Sequence, residues 1–184
     1  MMKPWRSIAY AGMLVIAALA GPDCGQARGR DYSRFAPLAV YKNARFGYSL
    51  TYPSARFKPE PESAKGDGRK FYSHDRRAKI ATFGAYNVDN YTMEQYRDKI
   101  IHDFDGYEQV TYSPRGKTWF VLSGYHNGNV YYQKVMFSCD NEIINVLAVK
   151  WPVANREKYD PIIELLEKNF HPGTGANAPG SCRK

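Results

Sequence analysis

From residue 46 onward the chain alternates apolar and polar positions in short runs. The stretch "FGYSLTYP" sets Phe46, Tyr48, Leu50 and Tyr52 on one side of a strand and Gly47, Ser49 and Thr51 on the other. Pro53 ends it by withdrawing a ladder donor. Residues 54–68, broken by Pro59, Pro61, Gly66 and Gly68, read as a loop. A hairpin follows, with strands near 69–74 and 78–87 and its turn at Asp75 and Arg76. On its second arm Ala81, Phe83 and Ala85 alternate with Ile80, Thr82, Gly84 and Tyr86. Both faces are moderately apolar, which predicts an interior strand with helix cover on at least one side.

The period then lengthens. In "YTMEQYRDKIIHDFDG" Met93, Tyr96, Ile100 and Phe104 form one helical stripe. Thr92 is placed to cap its first turn while Gln95 returns the bond, Tyr91 and Tyr96 sit at staple positions, and Gly106 offers a left-handed stop. Period two returns in "KTWFVLSGY", "NVYYQKVMFSC" and "EIINVLAVKW", with a shorter strand suggested at "YEQVTYS". Asn127-Gly128 and Asp140-Asn141 separate the three long runs as tight turns, so they form an antiparallel meander. Pro152 closes it. Asp160-Pro161 reads as an N-cap followed by proline at the first helical position, with Ile162, Leu165, Leu166 and Phe170 facing inward. The sum is an α+β domain with a sheet of about six strands covered by two main helices.

Aromatic residues recur on nearly every strand: Tyr48, Tyr52, Phe71, Trp119, Tyr125, Tyr131, Tyr132 and Trp151. A sheet with helices on one face buries one side of each strand, so most of these rings are needed as core. The surplus of tyrosine hydroxyls marks a wet rim or groove.

The N-terminus carries a different message. Lys3 and Arg6 precede about a dozen apolar or small residues that break at Gly21 and Pro22, the order of a secretory signal peptide. Two cuts fit the small-residue rule, after Ala20 or after Ala27; Ala27 is favoured because it leaves Pro22 between the apolar core and the cut. Residues 1–27 are thus a signal peptide, 28–40 (with Arg28, Arg30 and Arg34) a flexible leader, 41–171 one domain and 172–184 a Gly/Pro-rich tail. A periplasmic or secreted product is expected. Cys24 invites a rival reading as a lipid-anchored residue, against which Asp23 speaks. Cleavage at Ala27 leaves Cys139 and Cys182 as a pair, read as a disulfide in an oxidising compartment. No later segment has the roughly 20 apolar residues that a membrane-spanning helix requires.

Charge narrows the partners. The whole chain carries +8, with 26 basic against 18 acidic residues, and about +7 remains after cleavage. Export removes nucleic acid from reach and leaves anionic envelope components or acidic proteins. The densest basic feature is the hairpin carrying Arg69, Lys70, Arg76, Arg77 and Lys79. It is a candidate surface for an anionic partner with Tyr72 supplying contact area, although Lys and Arg also serve to keep edge strands from pairing.

Catalytic candidates are sparse. His74-Asp75 and His102-Asp103 are adjacent pairs whose side chains diverge. His102 and Asp105 meet only at i, i+3 near a helix end. Ser123 precedes a hairpin and lacks the strand-turn-helix elbow of hydrolases. His126 lies in a turn, and no metal-ligand spacing joins the histidines. No cofactor is expected.

The succession "FGYSLTYP", "DGRKFYSHDRRAKI", a capped helix, "TWFVLSGYHNGNVYYQKV" and "WPVANREKYDPIIELLEKNF" resembles exported proteobacterial proteins of unknown function and, more distantly, the PsbP-like fold. The likeness covers roughly residues 40–171 and implies an antiparallel sheet sandwiched by helices. Photosynthetic members of that fold assist a metal-containing membrane complex, and this chain has no matching ligands to carry over. The leading expectation is a monomeric, non-enzymatic exported module that binds a protein or envelope component through a sheet edge or aromatic rim. The alternatives are a hydrolase-like enzyme using His74, His102 or His126, and an envelope protein anchored through Cys24.

Overall fold

The computed structural model describes residues 32–103, 109–174 and Cys182. The expected signal peptide (residues 1–27, with Cys24), Arg28, Arg30, Phe104, Asp105, Gly106 and most of the tail lie outside the described residues. Among those described, the strands are β1 (Leu38–Lys42), β2 (Ser49–Pro53), β3 (Phe57–Pro59), β4 (Gly68–Ser73), β5 (Lys79–Tyr86), β6 (Gln109–Tyr112), β7 (Trp119–His126), β8 (Asn129–Ser138), β9 (Ile143–Pro152) and β10 (Phe170–His171). The helices are α1 (Met93–Asp103) and α2 (Arg156–Lys168). The class is α+β, and the strands exceed the six expected. They divide into a seven-stranded antiparallel sheet, β3-β4-β5-β9-β8-β7-β6, and a three-stranded sheet, β1-β2-β10.

The predicted meander is present as β6 to β9, and β3 to β5 form a second one. What joins them is β5 against β9, from Lys79↔Lys150 to Tyr86↔Ile143. The β7–β8 turn has the conformation its Asn-Gly pair predicts, with φ of 47° at Asn127 and 69° at Gly128. β2 does not join the large sheet. It pairs with β1 and β10 and begins at Ser49, later than the sequence pattern predicts, because residues 44–46 form a turn and Gly47 has a φ of 77°. Phe46 and Tyr48 before it and Leu50 and Tyr52 on it all enter the core, each at most 7% exposed. Phe46 reaches the large sheet at Gly84, where a Cβ would stand 2.5 Å from the Phe46 ring.

Two hydrophobic clusters occupy opposite faces of the large sheet. The first lies beneath the small sheet and α2, and includes Tyr48, Phe57, Phe71, Leu147, Trp151 and Leu166. The second comprises Phe120, Leu122, Val135, Phe137, Ile144 and Val146, with Met93, Tyr96, Ile100 and Ile101 of α1 packed upon it. The α1 capping box is present: the Gln95 amide donates to Thr92 Oγ1 (3.2 Å) and Gln95 Oε1 accepts from the Thr92 amide (2.8 Å). The Tyr91 and Tyr96 rings meet at 6.0 Å. None of the α1 side chains is fully buried, so the helix covers only part of its face.

Four sequence readings are corrected. Within residues 54–68, read as a loop, Phe57–Pro59 form β3, because they find antiparallel partners in β4 and Phe57 is buried. Residues 32–40, expected within a flexible leader, carry a 3-10 turn at Ser33–Phe35 with Phe35 buried and then β1, because Leu38–Lys42 find antiparallel partners in β2. α2 begins at Arg156, so Pro161 lies inside it and Asp160 is not its cap. The extra turn adds Tyr159 to the stripe Ile162, Ile163 and Leu166, packed edge-on against Phe57 at 6.3 Å. That burial, roughly 1.5–3 kcal/mol for a large side chain, offsets the bond to the Glu157 carbonyl that proline cannot make. Asp160 instead accepts from Arg156 one turn back, at 3.1 Å. Phe170, expected on α2, is buried on β10 opposite Leu50.

A buried polar hub ties the two sheets. The two N–H groups of Asn43 Nδ2 are shared among the Tyr41 hydroxyl, Glu62 Oε1 and the Gly66 carbonyl, each at 3.0 Å, and its Oδ1 accepts from the Phe46 amide at 2.7 Å. The Cys139–Cys182 disulfide is formed, joining the β8–β9 turn to the tail.

Candidate binding face

Directly opposed residues in an antiparallel sheet share a face. Lys58, Tyr72, Lys79, Lys150, Tyr131 and Gly124 are successive partners across β3, β4, β5, β9, β8 and β7, and so stand in one row. Two residues along each strand, Lys70, Ala81, Ala148, Gln133 and Leu122 form the next row. A third row, Phe83, Val146, Val135 and Phe120, passes toward α1. α1 covers the third row, Gly124 and Leu122 are buried at the β7 end of the first two, and from β3 to β8 those two rows form an open face.

That face is cationic and aromatic. Lys79 and Lys150 oppose each other across β5 and β9 between Tyr72 and Tyr131. The Lys150 ammonium lies 5.9 Å from the Tyr131 ring centre, and the Arg76 guanidinium 4.3 Å from that of Tyr72. Like charges directly opposed destabilise a sheet. Burial holds the Lys79 ammonium below its ordinary pKa, and Lys150 and Lys70 push it the same way. Among the described residues Lys58, Lys70, Lys79 and Lys150 form no ion pair.

Between these rows and α1 runs a groove of about 360 Å³. Ala81, Ala148 and Phe83 form its floor, Tyr96 and Ile100 its helical wall, and Lys79 and Lys150 one rim. Lys99, paired with Asp103 on α1, stands on the other side.

The five hairpin residues singled out from sequence separate. Lys70 and Lys79 stand on the open face; Arg76 and Arg77 border it at the β4–β5 turn, lining a recess with Tyr72, Lys79 and Lys150. Arg76 also pairs with Glu60 at 3.2 Å. Arg69 has the opposite parity on β4. Its guanidinium stacks 5.1 Å from the Tyr41 ring and pairs with Glu62 at 3.2 Å, on the core side. Lys58 and Lys150 were missed. Lys150 is 71 residues beyond Lys79 in the chain and becomes its neighbour only through the β5–β9 pairing.

The catalytic candidates are held in separate local contacts. His74 Nε2 lies 2.8 Å from the Ala55 carbonyl, His102 Nδ1 2.7 Å from the Asp98 carbonyl and His126 Nε2 2.6 Å from the Asn127 amide. Ser123 Oγ donates to the Tyr131 carbonyl at 3.0 Å. Among the described residues no three His, Cys, Asp or Glu side chains gather as metal ligands, and no helix is long and apolar enough to cross a membrane.

No family model and no curated protein sequence matches this chain. Among solved structures, the solution structure of cyanobacterial PsbP (CyanoP) from Synechocystis sp. PCC 6803 is similar, with a TM-score of 0.54 and 12% identity. The match covers 73% of this chain and 92% of that one. At that identity the likeness shows the fold, which is PsbP-like.

Proposed function

We propose that the chain is a non-enzymatic, exported binding or assembly module, and that it docks an anionic envelope component through the open face of its large sheet. The observation that carries this is the row Lys58–Tyr72–Lys79–Lys150–Tyr131, in which five neighbouring strands present three ammonium groups with no carboxylate partner among the described residues. Such an arrangement costs folding energy and is relieved when an anion settles between the lysines. The flanking tyrosines add contact area at little entropic cost. Lys and Arg used only to protect an edge strand would sit on the edge, whereas Lys79 and Lys150 lie on interior strands. Export is supported by the Lys3/Arg6 and apolar pattern of residues 1–27 and by the Cys139–Cys182 disulfide, which suits an oxidising compartment. The PsbP-like fold fits an assembly role by analogy.

Co-sedimentation with phosphatidylglycerol vesicles and affinity for hexaglutamate test this reading, both at low and at raised salt. Wild type should bind at least one of these anionic probes and release it as salt rises, and Lys79→Glu/Lys150→Glu should bind neither. Failure of wild type to bind either probe, or unchanged binding by the double variant, would overturn it.

A further inference from the structure

We propose that the groove beside α1 is a site for a single-chain fatty carboxylate of about laurate's length, with the head group on Lys79 and Lys150 and the hydrocarbon lying over Ala81, Ala148 and Phe83 against Ile100. This rests on the reading of the open face as an anion-binding surface and names the ligand class.

The argument begins with the two alanines. Ala81 and Ala148 are cross-strand partners, one pleat from the equally opposed Lys79 and Lys150. Two small side chains side by side leave a trough where larger neighbours would fill the sheet surface. Phe83 closes one end of that trough and Ile100 overhangs it from α1. An apolar channel therefore begins immediately beneath a pair of ammonium groups. Charge and apolarity follow one another along a single line, which is the pattern of an amphiphile and not of a simple anion.

Size decides among amphiphiles. The groove, about 360 Å³, sits at the low end of small-molecule sites, which run from roughly 300 to 1,000 Å³. That accommodates one alkyl chain and excludes the paired chains of a phospholipid. Two turns of an amphipathic helix, about 10 Å across and about 11 Å long, occupy roughly twice the volume of the groove or more. The head group has two charge-assisted partners available, since neither Lys79 nor Lys150 forms an ion pair among the described residues. On the α1 side Lys99 is already neutralised by Asp103, so the chain enters with its carboxylate at the Lys79–Lys150 rim.

Isothermal titration of the disulfide-bonded protein with laurate, below its micellar concentration, tests the proposal against dodecyl maltoside, inorganic phosphate and hexaglutamate. Laurate should bind in a saturable one-to-one fashion and more tightly than the other three. Lys79→Gln/Lys150→Gln should weaken it by about tenfold or more by removing the head-group partners. Ala148→Trp, which fills the trough and leaves the charges in place, should weaken laurate as strongly while sparing hexaglutamate. Circular dichroism confirms that each variant is folded. Binding of hexaglutamate without laurate would overturn the fatty-carboxylate site and leave the anionic face standing. Binding of neither, together with failure to sediment with phosphatidylglycerol vesicles, would overturn both. Maltoside binding as tight as laurate, or laurate binding indifferent to Ala148→Trp, would also reject the site.

Discussion

Lys79 places the proposed binding role and a structural cost on the same side chain. It stands opposite Lys150, and burial and its lysine neighbours disfavour its charged form. Lys79→Met keeps the stem and removes the charge, so it should raise unfolding stability by roughly 0.2–1 kcal/mol in urea titration while weakening hexaglutamate binding. The pH dependence has a defined sign. The folded-state pKa lies below the unfolded value, so the cost is present at neutral pH and disappears as pH rises through the folded pKa toward the ordinary lysine value of about 10.4. The stability gap between wild type and Lys79→Met should therefore narrow as pH rises from neutrality into the alkaline range. Asn43 is the opposite kind of residue: nothing in its sequence neighbourhood announces it, yet it satisfies four partners in the core. Asn43→Ala strands these groups and should cost about 1–3 kcal/mol, measured by the same titration.

Elements whose signals are local were legible in the sequence. The Thr92/Gln95 capping box, the Tyr91–Tyr96 staple and the Asn127-Gly128 turn each depend on residues within five positions, and each is formed as expected. The start of α2 was misread because Asp160-Pro161 carries a strong local signal that the burial of Tyr159 outweighs. β2 was recognised as a strand with the correct buried side, but its place in a separate three-stranded sheet depends on β1 and β10, the latter more than a hundred residues away. The binding face was half legible. Lys70, Arg76, Arg77 and Lys79 are close in sequence, whereas Arg69 was separated from them by strand parity and Lys150 joined them by pairing. α1 rests on a partly covered face and depends on its cap. Thr92→Ala should cost about 1 kcal/mol and, in amide hydrogen exchange, accelerate α1 while leaving β9 protected.

On the scale of the whole molecule, the two faces of the large sheet are covered to different extents. One face is closed by the small sheet and α2 over an aromatic core; the other is only partly covered by α1. The disulfide holds the tail to the β8–β9 turn across a separation of 43 residues. In the chain-entropy treatment a loop of that length stabilises the fold by about 4 kcal/mol. Cys139→Ser/Cys182→Ser should lose up to that amount in urea titration and leave the open face intact. The most direct test of the central claim is an amide-resolved NMR titration of the disulfide-bonded protein with hexaglutamate. Salt-sensitive shifts centred on Tyr72, Lys79, Lys150 and Tyr131 are predicted. Shifts centred instead on α2 and the small sheet would contradict it, as would the absence of shifts both with hexaglutamate and with phosphatidylglycerol bicelles.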